Sequence, residues 1–251
     1  SQPEWRYGKV LGLIETAENL AREYGITREE ADAYAVRSHQ RAHAAWEAGR
    51  FDAEVVPVEV PQRKGASVVF ARDEGIRPDS SMERLAKLRP IMGEDFQVTA
   101  GNASQQNDAA AACLVVAEDK LAELGLEPMG YLRGWAAAGC DPRIMGIGPV
   151  PASKRLFERT GLGLDDMDLV ELNEAFAAQV LSVLKAWDWN DEERLNPNGS
   201  GISLGHPIGA TGMRMVTTLL HELQRRKGRY GLATMCIGGG QGMAAIFERD
   251  V

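Results

Sequence analysis

The chain has 251 residues, of which 44% are hydrophobic and 25% are charged, close to an ordinary globular domain. This composition excludes an intrinsically disordered chain, a collagen-like repeat and a small disulfide-rich scaffold. With 28 basic against 36 acidic residues the formal net charge is −8. We therefore expect no nucleic-acid partner, because nucleic-acid binding needs a concentrated basic surface.

Neither a membrane span nor a secretory signal is predicted. No apolar run approaches the roughly 20 residues of a span, and no signal-peptide pattern opens the chain. The three cysteines, Cys113, Cys140 and Cys236, cannot all pair and none is spaced as C-x-x-C, which favours a reduced, cytoplasmic environment. The first residue is Ser1 rather than Met, so we expect the chain to be part of a longer gene product.

The first third of the chain is predicted to be helical with one hairpin. A capping box formed by Thr27 and Glu30 begins a long helix that ends at Gly49. The other elements predicted before Arg89 are helices over 16–24 and 81–87 and a hairpin of strands 55–60 and 67–70.

After Arg89 the pattern changes to strands and helices that alternate, with glycine turns between them. The apolar run 109–117 predicts a strand buried on both faces. This alternation indicates a layered α/β domain. The other predicted strands are 96–99, 130–138, 168–171, 232–235 and 243–248, and the predicted helices are 119–124, 151–159, 173–186 and 209–225.

Three turns carry the residues suited to chemistry, and each contributes one reactive side chain: Asn173, His206 and Cys236. They lie about 30 residues apart, the length of one strand–helix unit, and such junctions tend to meet at one edge of an α/β sheet. A cysteine and a histidine can exchange a proton, and an asparagine and backbone amides can stabilise an oxyanion. Each turn alone favours a structural role, whereas the three together favour acyl transfer.

These turns and several further segments resemble the signatures of the thiolase family, closest to acetyl-CoA acetyltransferases and 3-ketoacyl-CoA thiolases. The segments that carry the resemblance, besides the three turns, are 16–19, 87–90, 99–104, 148–153 and 196–206. The resemblance implies a thiolase-like layered α/β/α fold with the N-terminal half largely absent. It divides the chain into a coenzyme A-covering loop domain (1–90), the end of the N-terminal half (91–126) and a C-terminal domain (127–251).

The family resemblance also implies catalytic roles. His206 would activate a nucleophilic cysteine and help to form a first oxyanion hole, and Asn173 would hold the water that completes it. Cys236 would be the acid/base at the acetyl carbon, and the backbone amide of Gly238 would serve a second oxyanion hole.

The same resemblance implies the substrate contacts. Ala100 and Ser104 would line the pantetheine channel, Arg63 would contact a phosphate or the adenine, and Leu13 would lie on the coenzyme A side. Coenzyme A and acyl-CoA would be substrates, with no resident cofactor and no metal. The i, i+4 pair His39 and His43 lacks an acidic partner between them, so it predicts no metal site.

The sequence departs from the family pattern at one decisive point. The family's nucleophilic cysteine lies in a Cys-x-Ser-Gly turn, which is absent here, and Cys236 matches the second family cysteine. Three hypotheses follow: part of an ordinary thiolase, one subunit of a split enzyme, or a non-catalytic coenzyme A-binding or assembly subunit. The expected partners are a second or further copies, as homodimer or homotetramer, or a chain that supplies the missing half.

Overall fold

The computed structural model of this chain describes residues 11–250; residues 1–10 and 251 lie outside the described part. The helices are α1 (Leu13–Glu23), α2 (Arg28–Glu47), α3 (Met82–Ala86), α4 (Leu121–Leu124), α5 (Pro149–Thr160), α6 (Ala177–Trp187), α7 (Gly201–Leu204) and α8 (Ile208–Arg226). The strands are β1 (Val58–Val60), β2 (Val68–Phe70), β3 (Tyr131–Gly139), β4 (Leu169–Leu172), β5 (Tyr230–Ile237) and β6 (Gln241–Glu248).

The main sheet has four strands in the order β3-β6-β5-β4. β6 pairs antiparallel with both β3 and β5, and β4 pairs parallel with β5. A parallel pair needs a long crossover between its strands, and α6, α7 and α8 all lie in that crossover. The junctions that follow β4 and β5 therefore lie at the same edge of the sheet.

Helices cover both faces of this sheet, which makes an α/β/α layered fold. On one face, the missing side chain of Gly134 leaves room for Leu156 of α5, whose atoms would lie 3.3 Å from a Cβ there. On the other face, Gly231 allows Leu219 and Leu223 of α8 to pack at 2.8 Å from the corresponding Cβ position. The predicted α/β/α fold is confirmed.

The outer part of the α8 face is not covered. α8 contacts β5 and β4, whereas Leu132 and Trp135 of β3 and Met243 of β6 remain 56%, 55% and 42% exposed. The register places Leu132, Trp135 and Met243 on the same face as Phe247 and Ala245. An apolar strip therefore follows the β3 side of the sheet.

The early helices and the hairpin agree with the sequence predictions. The Thr27 hydroxyl accepts from the backbone N–H of Glu30 at 3.2 Å, and the Glu30 carboxylate accepts from the Thr27 N–H at 2.7 Å, which confirms the capping box. β1 and β2 pair antiparallel, with Val58 opposite Phe70. All six of their residues are exposed, so the hairpin adds little to the core.

The predicted strand over residues 96–99 is wrong, because these residues form no strand. The backbone N–H groups of Gln97 and Val98 donate instead to the buried carboxylate of Glu18, at distances of 3.0 and 2.6 Å. A strand needs those donors for its neighbour. A side chain 80 residues earlier in the chain has taken the place of a strand partner.

The predicted buried strand over residues 109–117 is also wrong. This run has no regular structure, and Leu114 and Val115 are 85% and 90% exposed. None of the six strands within residues 11–250 pairs with it. Without a neighbour to accept and donate hydrogen bonds, apolar composition alone does not make a strand.

The helix predicted to begin at Asn173 begins four residues later, at Ala177. The backbone N–H of Asn173 continues the sheet by donating to the carbonyl of Thr234 at 3.0 Å, and the N–H of Ala177 donates to the carbonyl of Asn102 at 2.9 Å. Residues 173–176 therefore form an extended junction between β4 and α6. None of the helices within the described range is long and apolar enough to cross a bilayer.

Candidate active site

Asn173 and Cys236 come together because β4 and β5 are parallel neighbours. Leu172 pairs with Thr234 in the register, Asn173 follows directly, and Cys236 lies two residues beyond Thr234 on β5. The carboxyl ends of parallel strands form one edge of the sheet, where polar side chains can meet. The convergence expected from the sequence thus has a backbone basis.

A second segment crosses this edge and brings His206 to it. The backbone N–H of Ser104 donates to the carbonyl of Ala175 at 2.9 Å, and the N–H of His206 donates to the carbonyl of Gln105 at 3.1 Å. The side-chain amide of Gln105 also donates to the carbonyl of Ile202, at 3.0 Å. Ser104 therefore lies beside the junction after β4, and the residue after it holds the turn that carries His206.

The imidazole of His206 makes two side-chain contacts that fix its orientation. Its Nδ1 lies 2.7 Å from the hydroxyl oxygen of Thr211, and its Nε2 lies 3.3 Å from the side-chain nitrogen of Asn173. The Thr211 hydroxyl donates to the carbonyl of Pro207 at 2.9 Å, so its oxygen is left to accept from Nδ1–H. We accordingly assign the Nδ1–H tautomer, in which Nε2 is the basic nitrogen.

The surroundings of His206 favour its neutral form. Burial lowers the pKa of the His206 imidazole, and the positive charge of Arg214 lowers it further. Both effects disfavour the imidazolium, because one removes water and the other adds a like charge. A neutral imidazole whose Nε2 carries no proton can act as a general base at neutral pH.

Cys236 is held as a thiol. Burial raises the pKa of its thiol to about 11, so it is protonated at neutral pH and can donate a proton rather than attack. It precedes the turn Gly238–Gly240, where Gly239 and Gly240 have φ angles of 86° and 90°. A Cβ on Gly240 would lie 2.5 Å from the Cys140 carbonyl oxygen. The turn therefore requires glycine for both conformation and space.

Gly238 opens this turn and is exposed. No atom lies within 4 Å of the position that its Cβ would occupy. The backbone at Gly238, two residues after Cys236, is therefore accessible to a ligand.

The carboxylate of Glu174, next to Asn173, is the centre of a buried hydrogen-bond network. It accepts from the hydroxyls of Tyr34 at 2.9 Å and Ser38 at 2.6 Å, from the Asn196 side chain at 3.1 Å and from the Ile202 N–H at 3.2 Å. Four donors satisfy a buried carboxylate without a paired cation. The network joins α2, the β4 junction and α7, and it fixes the backbone that carries Asn173.

Gly201 lets α7 approach this junction closely. A Cβ there would lie 2.7 Å from the Glu174 carbonyl oxygen and 2.9 Å from Oδ1 of Asn173. That Oδ1 is buried and has no hydrogen-bond partner among the described residues. It remains able to accept one further hydrogen bond.

Three predicted substrate-contact residues are not part of this cluster. Ala100 lies in an exposed turn before the crossing segment. Leu13 is the first residue of α1 and is half exposed, and Arg63 is exposed in the hairpin turn, without a hydrogen bond to any residue in 11–250. The structure joins Asn173, His206, Ser104 and the end of β5, and it leaves these three outside.

Sequence reasoning missed Thr211 and Glu174. Thr211 lies in the first turn of α8, five residues after His206, so the spacing His-x4-Thr is a signal that could have been read. Glu174 is a charged residue between a buried strand and a buried helix, a position where a carboxylate needs partners. Within residues 11–250 no cluster of three or more histidine, cysteine or acidic side chains is arranged to hold a metal ion.

Two family models match this chain. The model described as "Thiolase, N-terminal domain" matches residues 7–119, and "Thiolase, C-terminal domain" matches residues 126–249. An acetyl-CoA acetyltransferase from Chromobacterium violaceum is 54% identical over 234 residues, covering 93% of this chain and 59% of the relative. A beta-ketoadipyl-CoA thiolase from Pseudomonas putida is 49% identical over 245 residues, covering 97% and 61%.

Solved structures show the same likeness. The Bacillus anthracis acetyl-CoA acetyltransferase superposes with a TM-score of 0.92 at 49% identity, over 95% of this chain and 60% of that one. Human mitochondrial 3-ketoacyl-CoA thiolase, in complex with CoA, gives 0.87 at 43% identity, over 96% and 59%. This chain spans about three fifths of the length of the relatives it matches. With both family models matched in order along almost its whole length, the chain belongs to the thiolase family.

Proposed function

We propose that this chain supplies the base, an oxyanion donor and the acid/base thiol for acyl transfer between coenzyme A thioesters. The reaction is thiolytic cleavage of a 3-ketoacyl-CoA or the reverse condensation. One observation carries the proposal: Nε2 of a neutral His206 lies 3.3 Å from the Asn173 amide, at the sheet edge where the strand of Cys236 also ends. The names and the CoA complex of the relatives support the substrate class.

In the cleavage direction, a nucleophilic thiolate attacks the 3-keto carbon, and the C2–C3 bond then breaks. The electron pair of that bond remains on C2 of the departing acetyl-CoA, and the Cys236 thiol gives its proton to C2. The thiolate of Cys236 then takes a proton from the coenzyme A thiol, whose sulfur attacks the acyl-enzyme and frees the nucleophile. No net redox change occurs, so we infer that coenzyme A is a substrate and that no resident cofactor is used.

His206 and Asn173 serve the nucleophile and the first carbonyl oxygen in this scheme. Nε2 of His206 takes the proton of the attacking thiol, and the imidazolium and a water held by the Asn173 amide face the oxyanion that forms. The Gly238 amide faces the thioester oxygen of the acetyl-CoA enolate. The aligned donors are fixed before the substrate binds, which is how such sites lower a barrier.

The nucleophile itself has to come from another cysteine. Cys236 is held protonated by burial, Cys140 is half-buried with a pKa raised by burial, and Cys113 is exposed in the irregular run 109–117. We propose that a longer form of this chain or a second chain supplies it. A homodimer or homotetramer is the proposed assembly.

The test is a chimera in which this chain replaces its matched 59% of the Chromobacterium violaceum relative, so that the relative supplies the rest. We expect the chimera to cleave acetoacetyl-CoA, and we expect His206→Ala and Cys236→Ala to lower kcat by about 10² to 10⁴. Asn173→Ala should cost about 10². His43→Ala, at a partly exposed position of α2 outside this cluster, is the matched control and should leave kcat unchanged.

The alternative, a non-catalytic coenzyme A-binding or assembly subunit, gives a different result in the same experiment. A folded chimera would then bind coenzyme A in calorimetry but show no thiolysis. The 251-residue chain alone is expected to be inactive, and thiolysis by it that Cys236→Ala abolishes would make Cys236 the nucleophile and overturn the proposed roles.

A further inference from the structure

Arg214 connects two segments of chain that lie outside its own helix. It sits in the second turn of α8 and is mostly shielded from solvent. Its Nη2 donates to the Ser200 hydroxyl at 3.0 Å, and its Nη1 lies 3.4 Å from Oε2 of Glu171. A guanidinium can make both contacts at once because its donors diverge from a rigid plane.

Each contact lies just before one member of the His206–Asn173 pair. Glu171 is on β4, two residues before Asn173. The carbonyl of Ser200 accepts from the N–H of Leu204 at 2.7 Å and so begins the α7 turn that leads to His206. The helix of Arg214 also supplies Thr211, which holds Nδ1 of His206.

The Glu171 carboxyl does not neutralise Arg214. It is completely buried, its Oε1 has no hydrogen-bond partner among the described residues, and burial raises its pKa to about 8. At neutral pH it therefore mostly carries a proton. Its contact with Arg214 is then largely a hydrogen bond between a cation and a neutral carboxyl, so the guanidinium keeps its charge.

We propose that Arg214 is a positioning residue of this site: its guanidinium ties β4 to the α7 turn and thereby holds His206 against Asn173. Its catalytic consequence rests on the proposed function, whereas its geometric consequence does not. Arg214 acts through two segments and touches neither reacting group.

The geometric arm uses the 251-residue chain itself and needs no activity. NMR follows the titration of His206 and the side-chain amide resonance of Asn173. Arg214→Met is expected to shift the Asn173 amide resonance and to raise the titration midpoint of His206, because it removes both the tie and the like charge. Arg214→Lys keeps the charge but cannot bridge both partners, so it should shift the Asn173 resonance and leave the His206 titration close to wild type.

The kinetic arm uses the same variants in the chimera. Arg214→Met and Arg214→Lys should both lower kcat about tenfold to a hundredfold, since a misplacement of about 1 Å can cost about 10². Ser200→Ala removes one of the two contacts and keeps the charge, so it should lower kcat without moving the His206 titration. Arg225→Met, on the same helix but bonded to Glu222, is the matched control and should change neither readout.

Wild-type kcat and a wild-type Asn173 resonance in both Arg214→Lys and Ser200→Ala would overturn the proposal. These two variants decide the matter if Arg214→Met does not fold. An inactive chimera with wild-type Arg214 would count against the proposed function alone, because the two NMR readouts then decide the positioning role.

Discussion

Strand β4 and the run 109–117 are both largely apolar in sequence, but the first is a buried strand and the second is exposed and irregular. All four residues of β4 are buried, between β5 on one side and helices on both faces. The longer run is exposed almost throughout and has no strand beside it within residues 11–250. The difference is one of neighbours, because an apolar segment becomes a strand only where a second segment supplies hydrogen-bond partners, and it is buried only where a layer covers it.

Glycines also have different roles in these two parts of the molecule. Beside β6 the chain passes so closely that Gly148, just before α5, and Gly242 are in backbone contact, and a Cβ on Gly242 would lie 2.1 Å from Gly148. Near the exposed run, Gly125 has a left-handed φ of 61° but nothing within 4 Å of its Cβ position. Glycine is needed for close backbone packing at the first position and for a left-handed backbone conformation at the second.

The largest expected effect follows from this contrast. Gly242→Ala should lower the free energy of unfolding by about 4 kcal/mol or more, since two backbone segments would have to separate. Gly125→Ala should cost only about 1 kcal/mol, the strain of a left-handed alanine. Urea denaturation of both variants measures the pair, and equal losses would contradict the distinction.

The next largest loss of stability is expected for changes at Glu174, the buried carboxylate that follows β4. Glu174→Ala removes the acceptor of the Tyr34 hydroxyl and one contact each of the Ser38 hydroxyl and the Asn196 amide, so we expect a loss of about 3 kcal/mol. Glu174→Gln keeps the size and one acceptor and should cost less, about 1–2 kcal/mol. If chemical denaturation shows that the alanine variant is as stable as wild type, the network does not hold the junction.

The pH dependence of stability should report the buried acids near Arg214. Burial raises the pKa of Glu171 to about 8 and that of Glu54 to about 7, from an ordinary 4.5. Both groups stay protonated in the folded chain while the unfolded chain ionises, so the stability they contribute is complete below about pH 4.5 and is lost as pH rises to the folded values.

Two variants distinguish the pH range in which Glu171 lowers stability from the range in which Glu54 does. Glu171→Gln should remove the loss of about 1 kcal/mol that Glu171 causes between about pH 7 and pH 8. Glu54→Gln should instead keep the decline up to about pH 8. Difference profiles of urea stability from pH 6.5 to 8.5 provide the measurement, and parallel profiles for wild type and Glu171→Gln would contradict the assignment.

The smallest effect is expected in the exposed run. Leu114→Glu combined with Val115→Glu should change stability by less than about 0.5 kcal/mol, because neither side chain is buried. It should reduce self-association in light scattering, since exposed apolar surface recruits other chains. Leu172→Ala in β4 is the control and should cost about 2–5 kcal/mol. A large loss in the double variant would mean that the run packs against something in solution.

Sequence patterns predicted the parts of the fold that depend on neighbours close in the chain or on strong periodicity. The capping box of α2, the long α8 and the glycine turn after β5 are of this kind, and the placement of Asn173 and His206 at one edge followed from strand–helix spacing. Contacts in which a distant side chain replaces a strand partner could not be predicted from the sequence. The Glu18 carboxylate takes the donors of residues 97–98 from 79 and 80 positions away, and no local pattern records such a contact.

The contact between His206 and Thr211 means that a six-residue stretch sets the direction in which a proton can travel. In the assigned tautomer the Nδ1–H donates a hydrogen bond to the Thr211 hydroxyl oxygen, and the Thr211 hydroxyl donates to the Pro207 carbonyl in the same turn of the chain. The acceptor end of the imidazole is thus encoded locally, by residues that fold together as α8 begins. If these six residues are placed at the start of another helix, the histidine should again have Nδ1 as the donor and Nε2 as the acceptor, whatever sheet that helix packs on.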